Sequence, residues 1–168
     1  MAGDIKLKYG TTLTPTVTSL QGLASSSNFT SGWTSDWIDN TSVLALDQVV
    51  EVNIVAGTTP TAGSVRVYVY AEFADGTDPD LFSSGTEGAQ GAVTIHDAEQ
   101  LSASFVLLWS SDIDTTSDQA YPMPPRSVAQ AFGQVPRKFA IYVAHDTVAA
   151  LKTTLNTVYV DPVLNQYT

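Results

Sequence analysis

Apolar residues in this chain recur at every second position over short stretches, separated by runs of Gly, Pro, Ser and Thr. In Val65-Arg66-Val67-Tyr68-Val69-Tyr70-Ala71-Glu72-Phe73 the odd positions are apolar and the even ones are charged or tyrosine. A strand turns successive side chains to opposite faces, so this stretch predicts a strand with one buried face. Val50, Val52 and Ile54 alternate with Glu51 and Asn53, which predicts a second strand over 48–56. The intervening Gly57-Thr58-Thr59-Pro60-Thr61-Ala62-Gly63 has the composition of a turn, and the two strands together read as an antiparallel hairpin.

The same period marks further strands. Ile5, Leu7 and Tyr9 alternate with Lys6 and Lys8; Leu13, Pro15 and Val17 alternate with threonines. Pro15 suits an edge strand, because it donates no ladder hydrogen bond. Residues 43–46 and 92–95 are short candidates. Leu101, Ala103, Phe105, Leu107 and Trp109 form one alternating face, and Phe139, Ile141 and Val143 another. A last strand is expected over 155–161. Helix signals are few: Ser127 as N-cap and Gly133 as stop bracket one or two turns, and 147–154 is a weaker candidate.

With eight or nine short strands, no interdomain linker and no internal repeat, the pattern predicts an all-β chain. The expected architecture is a single-domain antiparallel β-sandwich over 1–168, jelly-roll-like, with residues 1–20 as an arm or edge strand. An Ig-like sandwich is the alternative, although its Cys…Trp…Cys spacing is absent.

Charge changes this picture in one respect. The chain has 168 residues, 7 basic and 17 acidic side chains, a net charge of −10 and no cysteine. Ten of the acids lie between 67 and 125, where there is no base, and the other seven match the seven bases. If strands 65–73, 92–95 and 101–110 run alternately up and down, Asp75, Asp78, Asp80, Glu87, Asp112, Asp114 and Asp118 gather at one end as an acidic pole. An acidic, Lys/Arg-poor surface repels nucleic acid and anionic membranes, so neither is an expected partner. No apolar stretch has transmembrane length. Met1-Ala2-Gly3-Asp4 lacks a basic region and an apolar core, so no signal peptide is expected.

Candidate chemistry is sparse. Without cysteine there is no thiolate nucleophile, zinc–thiolate site or disulfide. His96-Asp97 and His145-Asp146 are sequence neighbours at expected strand ends, read as turn or surface residues, and no G-x-S-x-G elbow is present. Asp75-Gly76-Thr77-Asp78-Pro79-Asp80 and Asp112-Ile113-Asp114 supply oxygens for a hard cation but lack EF-hand spacing. They are also ordinary turn residues. The sequons Asn28-Phe29-Thr30 and Asn40-Thr41-Ser42 are read as chance. No enzyme activity, cofactor or metal is expected.

The aromatic residues are the better candidates for contact. Trp33 and Trp37 sit in a polar segment, 24–42, where they either stack on a ligand or cover an edge of the core. Trp109 is in phase with Leu107 and Phe105, which points to the core. Tyr68 and Tyr70 occupy the non-core face of their strand, a face that suits a partner. The N-terminal segment Ile5, Lys6, Leu7, Lys8, Tyr9 carries lysines that oppose the acidic bulk. These segments are the expected interface residues.

Several stretches resemble the small virion structural proteins of tailed bacteriophages. They are the opening Met1-Ala2-Gly3-Asp4-Ile5-Lys6-Leu7-Lys8-Tyr9-Gly10-Thr11, Asp39-Asn40-Thr41 leading into 43–56, Val65-Arg66-Val67-Tyr68-Val69-Tyr70-Ala71, and Pro125-Arg126-Ser127-Val128-Ala129-Gln130-Ala131-Phe132-Gly133. The resemblance implies a head decoration or cement protein on the outer capsid surface. It implies the major capsid protein and further copies of itself as partners, in a homo-oligomer such as a trimer. Alternatives are a carbohydrate-binding sandwich on a tail or fibre, with the tryptophans as platforms, and a tail or head–tail connector component.

Overall fold

A computed structural model describes residues 5–167. The reading of Met1-Ala2-Gly3-Asp4 lies outside them. In chain order the strands are β1 (Ile5–Tyr9), β2 (Ser31–Thr34), β3 (Ile38–Asp39), β4 (Asp47–Val55), β5 (Gly63–Ala71), β6 (Phe82–Ser84), β7 (Gly91–Ile95), β8 (Val106–Ile113), β9 (Ala120–Pro122), β10 (Arg126–Ser127), β11 (Lys138–His145) and β12 (Thr157–Tyr167). Two short helices, α1 (Ala98–Ser104) and α2 (Val128–Phe132), interrupt them. One sheet runs β1-β12-β4-β10, with β9 also on β4. The other runs β6-β7-β2-β11-β5-β8, with β3 also on β11. The chain is therefore an all-β sandwich of two antiparallel sheets.

The sandwich core follows the period-two pattern. Val50, Val52 and Ile54 of β4 and Val158 and Val160 of β12 face Val65, Val67 and Val69 of β5 and Phe139, Ile141 and Val143 of β11. The 48–56 stretch and most of 65–73 are strands, but β5 ends at Ala71, beyond which Glu72 is buried and Phe73 exposed, and the two strands do not form a hairpin. β4 and β5 belong to different sheets and meet across the core. The loop between them crosses from one sheet to the other, and Gly57 passes so close to Ala150 that a Cβ there would collide with the Ala150 carbonyl.

The centre of the second sheet, at β5 and β11, is buried on both faces, which the pattern at β5 did not suggest. Tyr68 and Tyr70, expected on a half-buried or partner-covered face, are buried with Ala140 and Tyr142 of β11. Leu81, Phe82, Leu101 and Phe105 close over them as a second apolar cluster. The Phe105 ring lies 5.0 Å from Tyr70 and 5.3 Å from Tyr142. The partner that suits a tyrosine face is this chain's own 81–105 segment.

That segment also corrects the expected strand over 101–110. Its first part is α1, capped by Asp97, whose carboxylate accepts the Gln100 N–H at 2.7 Å. The chain turns at Phe105 and returns as β8. A register shift between the partners of Val67 and Tyr68 then reverses the facing of β8. Phe105, Leu107 and Trp109 accordingly reach three environments: the second cluster, solvent, and the edge of the sandwich core.

The acidic pole is overturned for the same reason. β8 pairs antiparallel with β5, Gly63 opposite Ile113 and Val69 opposite Val106. The loop carrying Asp75 and Asp78 leaves the end of β5 away from Asp112 and Asp114. Helix α1 takes the place of the expected rising strand, so β8 descends and its acids arrive at the opposite end.

Three smaller expectations also fail. Residues 12–18 make a single bridge, Leu13 to Val160, rather than a strand. Residues 43–46 form a loop pinned by Asn40, whose side chain accepts from Ala45 N and donates to Ala45 O. Residues 147–154 are not helical, because their backbone serves other segments: Leu151 N donates to Leu23 O and Lys152 N to Val55 O. The turns at 127–133 do form, with Ser127 Oγ accepting from Gln130 N and Gly133 in the left-handed region at φ +82°.

Candidate assembly surface

The two histidines differ in their surroundings. His145 is fully buried, with Nε2 2.9 Å from the Leu23 carbonyl and Nδ1 2.9 Å from the Thr147 hydroxyl. A carbonyl only accepts, so Nε2 carries the proton and Nδ1 accepts from Thr147. Burial pushes this imidazole below its ordinary pKa. His96 is exposed, 3.4 Å from Asp80, and Asp97 beside it is the α1 cap. Among the described residues no group of three or more His, Asp or Glu side chains is placed to hold a metal ion.

The carboxylates of the acidic loops act as local caps. Asp75 accepts from Thr77 N at 3.0 Å and Thr77 Oγ1 at 2.7 Å; Asp39 accepts from Thr41 N and Oγ1, both at 2.7 Å. Asp114 accepts from Thr116 N at 2.7 Å and from the Tyr121 hydroxyl at 3.1 Å. These hydrogen bonds stabilise the charged form and hold all three pKa values below the usual carboxylate range. Asn28 does the same with Thr30 N and Oγ1. The repeated signal is Asp or Asn two residues before Thr, an Asx turn.

The tryptophans divide. Trp33 is fully buried in the sandwich core. With the Gln90 amide oxygen turned toward it, its Nε1 donates at 3.1 Å. Trp37 is half-buried on the second cluster, its ring 5.3 Å from Tyr70. Trp33, Tyr68 and Tyr70 are thus interior residues, and their reading as interface does not hold for the folded chain. The Tyr70 hydroxyl bonds Thr34 Oγ1 at 2.8 Å and accepts from Gly88 N at 3.0 Å. Burial raises its pKa to about 12.

The N-terminal segment is different. β1 pairs only with β12, Ile5 opposite Tyr167 through Tyr9 opposite Val163. β12 pairs with β4 only from Thr157 to Val163. Residues 5–8 and 164–167 therefore extend past β4 as a two-stranded ribbon, with Tyr9 and Val163 at its root. Residues directly opposite share a face, so Ile5, Leu7, Tyr9 and Val163 lie on one side and Lys6 and Lys8 on the other. Ile5 is 60% exposed, Leu7 71% and Tyr9 66%. Leu46, 50% exposed, donates its N–H to the Val163 carbonyl and extends the apolar surface at the ribbon's root.

A second open edge lies on the other sheet. β8 ends the order β6-β7-β2-β11-β5-β8. Its Ser110 and Asp112 point outward and are exposed, whereas Ile113 points into the core. A shallow groove of about 230 Å³ runs from Leu107 and Leu108 to Arg126 and Gln130. Sequence reasoning missed this edge, because it ran the strand through 101–110 and counted Leu107 as inward.

One further polar feature is buried. The Glu72 carboxylate is 2% exposed and accepts from Lys138 Nζ at 2.6 Å, while its Oε2 has no protein partner among the described residues. It borders a cavity of about 340 Å³ lined by Phe73, Phe132 and Arg137.

No family model, curated protein or solved structure matches this chain.

Proposed function

We propose that the chain is a non-enzymatic structural subunit of a tailed-bacteriophage virion that decorates and cements the outer capsid surface. The observation that carries this is the projecting ribbon. A two-stranded ribbon is marginal in water on its own, and this one presents Ile5, Leu7 and Tyr9 unpacked against the body. Such a segment gains its stability by seating on another chain. The remaining surface suits lattice packing: it is poor in lysine, and charged residues are only 14% of the chain. The resemblance of the N-terminal, 65–71 and 125–133 stretches to virion proteins supplies the setting. Multivalent attachment across neighbouring capsid subunits multiplies a modest contact into a stable one.

The test is co-sedimentation with purified capsids of the parent phage. The full chain is expected to pellet with capsids and to raise their resistance to heat. A chain lacking residues 1–10 is expected to stay in the supernatant. Undiminished binding by the truncated chain would remove the ribbon from the contact, and no binding by the full chain would end the reading.

A further inference from the structure

We infer that β1 takes up an extended segment of a different protein as an added antiparallel strand, and that acidic and apolar residues alternate along that segment. The inference rests on the proposed reading only in taking the ribbon for an assembly contact. It adds the backbone geometry of that contact and the chemistry of its occupant.

The hydrogen bonds already made decide which groups of β1 stay open. The Gly10 N–H donates to the Pro162 carbonyl, so Gly10 and, at every second position before it, Lys8 and Lys6 turn their backbone groups toward β12. Those of Ile5, Leu7 and Tyr9 turn to the open edge, where no strand of the described chain lies. An edge of unpaired N–H and C=O groups is a template for a strand from another chain. In an antiparallel ladder, the residues opposite Ile5, Leu7 and Tyr9 exchange both hydrogen bonds with them and share their face. That face is apolar and exposed, and it continues into Val163 and Leu46. Apolar residues at those positions of the incoming segment extend it across a third strand.

Charge sets the positions in between, which stand opposite Lys6 and Lys8. Both lysines are exposed, and among the described residues neither is in an ion pair. Across β12 they face Gln166 and Leu164, so the ribbon supplies no acid of its own. Opposite charges directly across a pair of strands stabilise it, and like charges destabilise it. Carboxylates on the incoming segment therefore complete two ion pairs on the lysine face.

The open edges at β1 and β8 of a second copy do not supply such a strand. An antiparallel ladder of β1 with β1 that joins three or more residues of each sets Lys6 on Lys6, Lys6 on Lys8, or Lys8 on Lys8. The β8 edge fails by backbone parity. The Asp146 N–H donates to the Ser64 carbonyl, so Val65 turns toward β8 and its partner Ser111 turns back, which leaves Ser110 and Asp112 facing the open edge. An antiparallel ladder must then set Leu7 opposite Ser110 or Asp112, and the lysines opposite Trp109, Ser111 or Ile113. The apolar face of β1 would join the exposed side of β8, and the lysines would find no acid. Lysines on an edge strand thus hold off a second copy and leave the edge to a strand of opposite charge.

The test uses a short blocked peptide in which valine and glutamate alternate, and a counterpart with lysine in place of glutamate. Binding is read from the backbone amide signals of Ile5, Leu7 and Tyr9 in the full chain. The valine–glutamate peptide is expected to bind about tenfold more tightly than the valine–lysine peptide, and the K6E/K8E chain to reverse that order. Equal binding of the two peptides, binding of neither, or no reversal overturns the inference. N-methylation tests the ladder, because it removes an N–H and leaves the side chain. Methylating the valines, whose N–H groups face β1, is expected to abolish binding, and methylating the glutamates to leave it in place. Binding that survives on methylated valines, or is lost on methylated glutamates, overturns the antiparallel strand. In co-sedimentation, the K6E/K8E chain is expected to lose its capsid binding. The two readings fail separately. Capsid binding that survives K6E/K8E leaves decoration standing and removes the acidic strand. Peptide binding with the expected signs, but no capsid binding by the full chain, does the reverse. Self-association that is lost on deleting residues 1–10 would give the edge to a second copy and overturn the inference.

Discussion

Single side chains stabilise this fold mainly by capping and by filling closed sites. His145 is the clearest case, because its burial makes a signed prediction. A neutral imidazole with a lowered native pKa binds fewer protons than in the unfolded chain over the interval between the two pKa values. Stability then rises with pH across that interval and is complete above about pH 6.5. Thermal melting is expected to fall as the pH drops from about 6.5 toward the lowered native pKa and then level off for this group. His145→Gln should melt lower at neutral pH but with a flatter slope below about pH 6.5; an unchanged slope below that pH would show that another group sets it.

The Glu72–Lys138 pair predicts an asymmetry between its two halves. Glu72 is the buried partner, and loss of Lys138 strands its carboxylate, whereas Lys138 can turn toward water. Lys138→Met is therefore expected to lower the melting temperature more than Glu72→Gln. The opposite ranking would mean that the lysine carries the burial cost. Backbone approach gives a similar contrast. Gly57→Ala forces the crossing loop away from Ala150 and should cost about 2 kcal/mol or more. Gly91→Ala, whose Cβ would meet nothing nearer than 3.9 Å, should stay within about 0.5 kcal/mol in denaturant titration.

At the scale of elements, α1 decides the topology of the 81–113 region. Leu101 and Phe105 fit a strand by period, but Asp97 starts a helix and turns both residues onto the tyrosine face. Removing the cap with Asp97→Ala is expected to cost about 1 kcal/mol. Hydrogen exchange should show the loss concentrated in α1, because the sandwich core does not touch this cap. Uniform loss across both sheets would instead make α1 part of one cooperative unit with the sandwich. The register shift in β8 is the second decisive element, since it puts Leu107 outward and leaves Ser110 and Asp112 along an open edge.

For the whole molecule, the body and the ribbon separate. The sandwich core draws no side chain from β1, whose residues are all exposed. Deleting residues 1–9 is therefore expected to leave the melting temperature within a few degrees of the full chain. Near-complete unfolding of the truncated chain would show that β1 stabilises the body.

Alternation and caps determined a good deal: the all-β class, the strands at 48–56 and 139–143, most of the one expected over 65–73, the short helix at 127–133, and a strand at residues 5–9. These are properties of periods and caps, which act over a few residues. The Asx turns at Asp39, Asp75 and Asp114 are equally local, and their Asp-x-Thr spacing is a signal the sequence reading passed over. Tertiary structure decided what depends on which strand lies beside which. β4 and β5 look like a hairpin until the sheets separate them, because a loop of that composition serves a turn and a crossing equally. Tyr68 and Tyr70 read as a face for a partner until the 81–105 segment closes over them, because a strand's period shows that its faces differ but not what covers the second. The charge followed suit: its position along the chain was fixed by sequence, while its division between the two ends of the sandwich came from a single helix that replaced a strand.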